Sequence, residues 1–249
     1  MQLKKALKKF RRGNTKSDAK LKNSLKAIFD REWFSSKYAG LVEDNTDSFE
    51  FFFRHEASKG LNPNPLFDRD WYGQINQDVT QAGVSPVHHY VTRGFKEGRE
   101  PGPLFDSSLY RELHPDSAGQ NPLAHYLASS AKTFPHTLFD EAWYADRYQV
   151  RDKHPIYHYL SEGWRTGTDP SPMFSTLYYQ HMYPDVAAAG VNPLLHYLAV
   201  GDREGRNPSP HFDSRWYLTT YPDIAASSLN ALVHFVRYGL LENRSPRPD

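Results

Sequence analysis

Five histidines stand directly before an aromatic residue: His89-Tyr90, His125-Tyr126, His158-Tyr159, His196-Tyr197 and His234-Phe235. Histidine readily serves as a metal ligand, or as a general acid and base near neutral pH. The spacing argues against one shared centre. Successive copies are a whole repeat apart, and packed helices sit ~8–10 Å from one another. The ligands of a single zinc ion all lie within ~2.3 Å of it. The five histidines are therefore read as a repeated structural hydrogen bond, a ring nitrogen held by a neighbouring turn. The alternative is a repeated ligand-binding groove lined by these five and by Trp164, which falls in a connector outside the aligned core positions.

Two further patterns invite chemistry. Asp68-Arg69-Asp70 looks like the Asp-x-Asp pair with which sugar-nucleotide glycosyltransferases hold a metal. The aligned copies read Asp30-Arg31-Glu32, Asp106-Ser107-Ser108, Asp140-Glu141-Ala142 and Asp213-Ser214-Arg215. Only the first acid recurs, which suits a helix cap and not a metal pair. Glu97-Gly98-Arg99 and Glu204-Gly205-Arg206 could bind anions through arginine. Thr166 and Thr168 occupy the same place in another copy, so the expectation is an arginine folded back onto carbonyls or the cap aspartate. No phosphate-binding glycine loop, Gly-x-Ser-x-Gly or His-Glu-x-x-His occurs. The chain has no cysteine, which excludes disulfides, thiolate zinc sites, iron–sulfur clusters and cysteine nucleophiles. No catalytic residue, metal site or cofactor is assigned.

The elements that must position these residues come from one motif written six times. Aligning on Phe-Asp-x-x-Trp-Tyr gives starts at Phe29, Phe67, Phe105, Phe139, Phe174 and Phe212, separated by 38, 38, 34, 35 and 38 residues. A period of this size signals a stacked array. In the cleanest copy, from Phe174, the residue after the Phe is a good N-cap, as is Asp in the other five. The Phe itself can staple back onto the helix. Trp71, Trp143 and Trp216, with Phe34, Tyr72, Tyr144 and Tyr217, are expected to form its buried face. Tyr183-Pro184-Asp185 breaks the helix, because proline cannot continue it. A second main helix opens at Asn192-Pro193, with Asn121-Pro122, Ser85-Pro86 and His154-Pro155 in the same place. Gly94, Gly163, Gly201 and Gly239 are expected to close it as left-handed C-terminal residues. The fold class that follows is all-α: six short helical repeats of 34–38 residues stacked as a solenoid-like body over residues 29–249. Repeat one replaces the Asn-Pro element with Asp47-Ser48-Phe49-Glu50-Phe51-Phe52. Repeats three and four are shortened, which is expected to bend the array.

Charge is uneven. Residues 1–28 carry ten Lys and Arg against Asp18, a net of +9, which leaves −8 for the remainder of a chain whose total is +1. Leu3, Ala6, Leu7 and Phe10 share one face of a predicted helix, and a second helix is predicted from about Asp18 to Ile28, with Leu21, Leu25 and Ile28 on one side. Lys4, Lys5, Lys8, Lys9, Arg11 and Arg12 suit anionic lipid at a membrane surface. Nucleic acid is the less favoured partner, and a frayed solvated terminus is the bland reading. No run of apolar residues is long enough to span a bilayer and no signal-peptide core precedes the body, so the expected location is cytoplasmic, peripheral at the inner membrane. Asn243-Arg244-Ser245 fits a glycosylation sequon, which means little in that location.

The unit that runs from Phe174 through Tyr183-Pro184-Asp185-Val186 and Gly190-Val191-Asn192-Pro193-Leu194 to Glu204-Gly205-Arg206 resembles a repeat of bacterial surface-polysaccharide proteins. There it flanks glycosyltransferase, rhamnan-synthesis-type or sulfotransferase domains. The resemblance covers about residues 29–249. It implies a setting and transfers no catalytic residue, since a sugar-nucleotide-binding α/β domain does not fit beside six repeats. The expectation is a non-catalytic scaffold or binding module in envelope-polysaccharide (lipopolysaccharide or capsule) synthesis, docking a protein partner or a bacterial surface glycan. The alternatives are a carbohydrate-binding module, or a protein grouped with glycosyltransferases through its usual neighbouring domain.

Overall fold

A computed structural model describes residues 17–42, 46–128, 136–151, 154–227 and 229–248. The basic face of Lys4, Lys5, Lys8, Lys9, Arg11 and Arg12 lies outside them. The fold is all-α: among the described residues there is no strand, and the only pairing is two isolated bridges, Ser171 with Phe174 and Ser209 with Phe212. Two compact units form, Met1–Ser129 and Ser130–Asp249. The division falls where the third copy of the motif is shortened.

Each copy opens with a seven-residue helix. In the first unit these are Arg31–Lys37, Arg69–Ile75 and Ser107–Leu113; in the second, Glu141–Arg147, Thr176–Met182 and Ser214–Thr220. The capping expectation holds in all six. Asp30, Asp68, Asp106, Asp140, Ser175 and Asp213 each accept the N–H of the third helical residue, which satisfies a donor that has no partner inside the helix.

The buried face differs from expectation. Tyr72, Tyr144 and Tyr217 are fully buried, but the preceding Trp71, Trp143 and Trp216 are half-exposed. The hydrophobic staple explains this: the residue before the cap packs on the fourth helical residue, which is the Tyr, and the third points away. Around that staple a ring trio forms in every copy. Phe174, Tyr179 and Tyr197 meet at centroid distances of 5.5, 5.7 and 6.0 Å, the two tyrosines nearly perpendicular. Phe67/Tyr72/Tyr90, Phe105/Tyr110/Tyr126, Phe139/Tyr144/Tyr159 and Phe212/Tyr217/Phe235 repeat the arrangement, as do Phe29, Phe34 and Phe52. Edge-to-face pairs of this kind add ~0.5–1.5 kcal/mol beyond their buried area.

Copies also close on themselves. The cap N–H donates to the carbonyl of the proline that ends the same copy: Asp30 to Pro63, Asp68 to Pro101, Asp140 to Pro170, Ser175 to Pro208 and Asp213 to Pro246, at 2.9–3.1 Å. The cap residue's own N–H, which no helix bond can use, is thereby satisfied.

The second main helix starts at a cap and proline as predicted, with Ser85, Asn121 and Asn192 accepting first-turn N–H groups. His154 makes no such side-chain cap bond. In three copies the helix then widens into a π-helical turn, Tyr90–Gly94, Tyr197–Gly201 and Phe235–Gly239. The glycines at its end are not left-handed. Positive φ belongs to the connector that follows, at Gly98, Gly167 and Gly205, and at Asn243 in the last copy. Ahead of the first copy a helix over 17–26 and the turn after it bring Leu25 and Ile28 into the core. It is held by Lys22 to Glu50 at 2.5 Å and by Asn64, which donates to the Ile28 carbonyl at 2.7 Å.

Candidate functional site

The recurring histidines lie on the inner side of the second main helix, five residues before a glycine in four copies and before Ser130 in the copy of His125. Nδ1 of each meets a phenol from the opening helix of the same copy. Tyr72–His89, Tyr110–His125, Tyr144–His158, Tyr179–His196 and Tyr217–His234 span 2.7–3.0 Å. Burial raises every one of these phenols, Tyr110, Tyr144 and Tyr217 to about 12, so each keeps its proton at neutral pH. Burial, reinforced by a nearby arginine, lowers His89, His196 and His234, which favours the neutral imidazole. Nε2 of His89 and His125 faces Glu97 and Asp116, at 3.9 and 3.5 Å; a carboxylate can only accept, which favours the ring proton on Nε2. In that tautomer the phenol donates and Nδ1 accepts.

The glycine completes this triad. A Cβ on Gly94, Gly163 or Gly201 would fall inside the hydroxyl of Tyr72, Tyr144 or Tyr179, and one on Gly239 would lie 2.6 Å from the Tyr217 hydroxyl. Glycine is required by that close approach, not by helix termination. Repeat one gives the internal control. There Phe34 and Phe51 replace both partners, and Glu56 stands in the glycine position.

The connector arginines make a second recurring cluster. Arg99 forks onto Asp78 at 2.8 Å through both terminal nitrogens and takes Glu97 through Nε at 2.7 Å. Arg206 does the same to Asp185 and Glu204, and Arg244 to Asp223 and Glu242. The acceptor is the aspartate of the Pro-Asp turn, or its counterpart Asp78, and not the carbonyls or cap aspartate expected from sequence. The reason is geometric: the cap carboxylate already faces its own helix. The arginine's hydrogen bond holds Asp78 down to about 2 and lowers Asp185 and Asp223. Repeat four lacks both the arginine and the Pro-Asp turn, and there Thr168 meets the Tyr144 hydroxyl at 2.9 Å.

Buried polar groups join neighbouring copies within each unit. The Tyr90 hydroxyl donates to Asn121 at 3.2 Å, and Tyr159 to Asn192 at 3.4 Å. Tyr197 donates to the buried Asp202, whose other oxygen accepts the Ala231 N–H. Phe52 has no hydroxyl to offer. In its stead Glu56, 1% exposed, meets Ser85 and His88 at 3.1 Å each. Glu100 accepts both the N–H and the hydroxyl of Ser107, and burial pushes it up to about 7. None of Glu56, Glu100 and Asp202 was singled out from sequence; the one available signal was that each departs from its aligned positions.

Trp164 is buried, and its indole N–H donates to the Leu160 carbonyl at 3.2 Å. What stays half-exposed at one aligned position is the third helical residue: Trp33, Trp71, Trp143, Tyr178 and Trp216. In the first unit a groove of about 860 Å³ is lined by Arg69, Asp70, Gln74, Gln77, Thr80 and Gln81, among others. Among the described residues no group of three His, Asp or Glu could hold a metal, and no helix is long and apolar enough to cross a membrane. No protein-family model matches the chain, and no curated protein or solved structure does so.

Proposed function

We propose that the chain is a non-catalytic scaffold: six helical repeats stacked as a solenoid-like array that docks a protein partner, or a growing glycan, in bacterial envelope-polysaccharide synthesis. The basic arm of Lys4, Lys5, Lys8, Lys9, Arg11 and Arg12 holds it at the anionic cytoplasmic face of the inner membrane. The observation that carries the non-catalytic part is the Tyr–His–Gly triad. Tyr and His engage one another within their own copy five times over, four of them against a glycine, and in repeat one, where both are lost, the glycine is lost as well. The polysaccharide setting rests on the resemblance of the repeat. Cross-linking in cells with mass spectrometry tests it: the reading expects adducts to enzymes that build or export envelope glycans. Turnover of a sugar nucleotide by the purified protein contradicts it.

A second reading, a carbohydrate-binding module, is favoured by the half-exposed Trp and Tyr at the third helical position, since aromatic faces stack on sugar rings. Titration of glycans against tryptophan fluorescence separates the two. A saturable shift that Trp71→Ala and Trp216→Ala abolish favours the module, and no shift favours the scaffold.

A further inference from the structure

A pocket of about 340 Å³ lies in the first unit between the helix over 17–26 and the second main helix of repeat two. Lys20 and Lys96 supply its charge, Ser17, Ser24 and Thr92 its hydroxyls, and Leu21, Val91 and Phe95 its apolar wall. No Asp or Glu lines it. Elsewhere in this unit Lys22 holds Glu50, Arg31 holds Asp47 and Arg99 holds Asp78. Lys20 and Lys96 have none within ion-pair distance among the described residues. His88 also lines the pocket, with Nε2 3.1 Å from the buried Glu56 carboxylate. The Thr92 hydroxyl donates to the His88 carbonyl at 2.7 Å.

We propose that this pocket binds a phosphate ester through the ammonium groups of Lys20 and Lys96. Each ammonium brings three donors and the two serines one apiece, more than the two oxygens of a carboxylate can take and suited to the three terminal oxygens of a phosphate monoester. Lysine binds phosphate as a point charge. Leu21, Val91 and Phe95 favour the carbon-bearing ester over a bare inorganic ion. The ester reaches the pocket either as a soluble metabolite or as a lipid headgroup. The proposal rests on the pocket alone and stands whether or not the scaffold reading does.

The test uses the full chain with sn-glycerol 3-phosphate as the soluble probe, glycerol as its neutral control, and phosphatidylcholine vesicles with and without phosphatidic acid. Calorimetry and vesicle sedimentation read binding. Lys20 and Lys96 are exposed, so Lys20→Gln/Lys96→Gln leaves the fold intact, as a melting curve verifies. Loss of two charge-assisted contacts weakens binding at least about tenfold, while Lys37→Gln/Lys59→Gln, on other surfaces, keeps wild-type affinity. Glycerol 3-phosphate binding that the pocket variant loses supports the proposal with a soluble source. Binding seen only with phosphatidic acid vesicles, and lost in the same variant, supports it with a lipid source. Failure of both probes to bind overturns it. So does undiminished binding by the pocket variant, including vesicle binding that is lost only when Lys4, Lys5, Lys8 and Lys9 are changed to Glu.

Discussion

Gly201→Ala puts the triad to its hardest test, because elsewhere in a helix the same change stabilises by ~0.8–1.0 kcal/mol. The new Cβ would overlap the Tyr179 hydroxyl and lie 3.2 Å from His196 Nδ1, but it would lie 3.4 Å from the Tyr179 ring carbon that carries the hydroxyl, an ordinary contact. Overpacking of this sort costs ~1–3 kcal/mol, and displacing the hydroxyl from His196 forfeits a hydrogen bond of ~1 kcal/mol. Set against the propensity gain, the net is a loss of ~1–3 kcal/mol. Tyr179→Phe alone leaves Nδ1 without its donor and costs ~1–3 kcal/mol. Once the hydroxyl is absent the overlap is gone and only the 3.2 Å approach to His196 remains, so the double variant is more stable than the sum of its parents by ~1 kcal/mol or more. Denaturant unfolding followed by circular dichroism measures all four proteins. A Gly201→Ala protein as stable as wild type, or strict additivity in the cycle, refutes the reasoning.

Other outcomes follow from the same geometry. Asp213→Ala loses its cap bond to the Trp216 N–H and destabilises by ~1 kcal/mol, with Asp213→Asn close to neutral, read as a melting shift. Tyr217→Ala, which removes a fully buried ring, costs ~3–5 kcal/mol, and Trp216→Ala, half-exposed, costs visibly less in the same assay. Glu100 carries a folded-state pKa of about 7, above its ordinary value near 4.5, so its contribution is full below 4.5 and is lost as pH rises through 7. The lowered His89, His196 and His234 act in the opposite sense, losing stability as pH falls below about 6.5. Glu100→Gln should therefore hold the melting temperature up between pH 5 and 7 relative to wild type, a window set by those two pKa values. For the arm, Lys4, Lys5, Lys8 and Lys9 changed to Glu should abolish sedimentation with anionic vesicles; unchanged sedimentation removes the membrane proposal.

Much of the local architecture was legible because single residues have single jobs. An Asp or Ser before a helical run has one obvious use, and Asn-Pro at a helix start has another; both proved to be what they looked like. The five histidines were read correctly as hydrogen-bonded, but their partner was not found. Tyr and His lie 14–17 residues apart on different helices, a distance that no local rule covers. The clue was available in repeat one, where Phe34, Phe51 and Glu56 depart together. Gly94, Gly201 and Gly239 do end their helical turns, but not as the left-handed residues expected, because sequence shows that a glycine is needed and not why. Trp71, Trp143 and Trp216 were placed inside together with the Tyr that follows each, although position relative to the cap decides which ring turns inward. The arginine partners were missed for the same reason as the tyrosines: Asp185 and Arg206 lie 21 residues apart.

The central claim is that the conspicuous recurring residues are architectural. Long-range proton–nitrogen NMR of the imidazole rings tests it most directly. The account predicts that His89, His125, His158, His196 and His234 each show a bare, hydrogen-bonded Nδ1 and a protonated Nε2, unchanged by sugar nucleotides and divalent cations. Rings that exchange freely between tautomers, or that shift together when such a ligand is added, would contradict it.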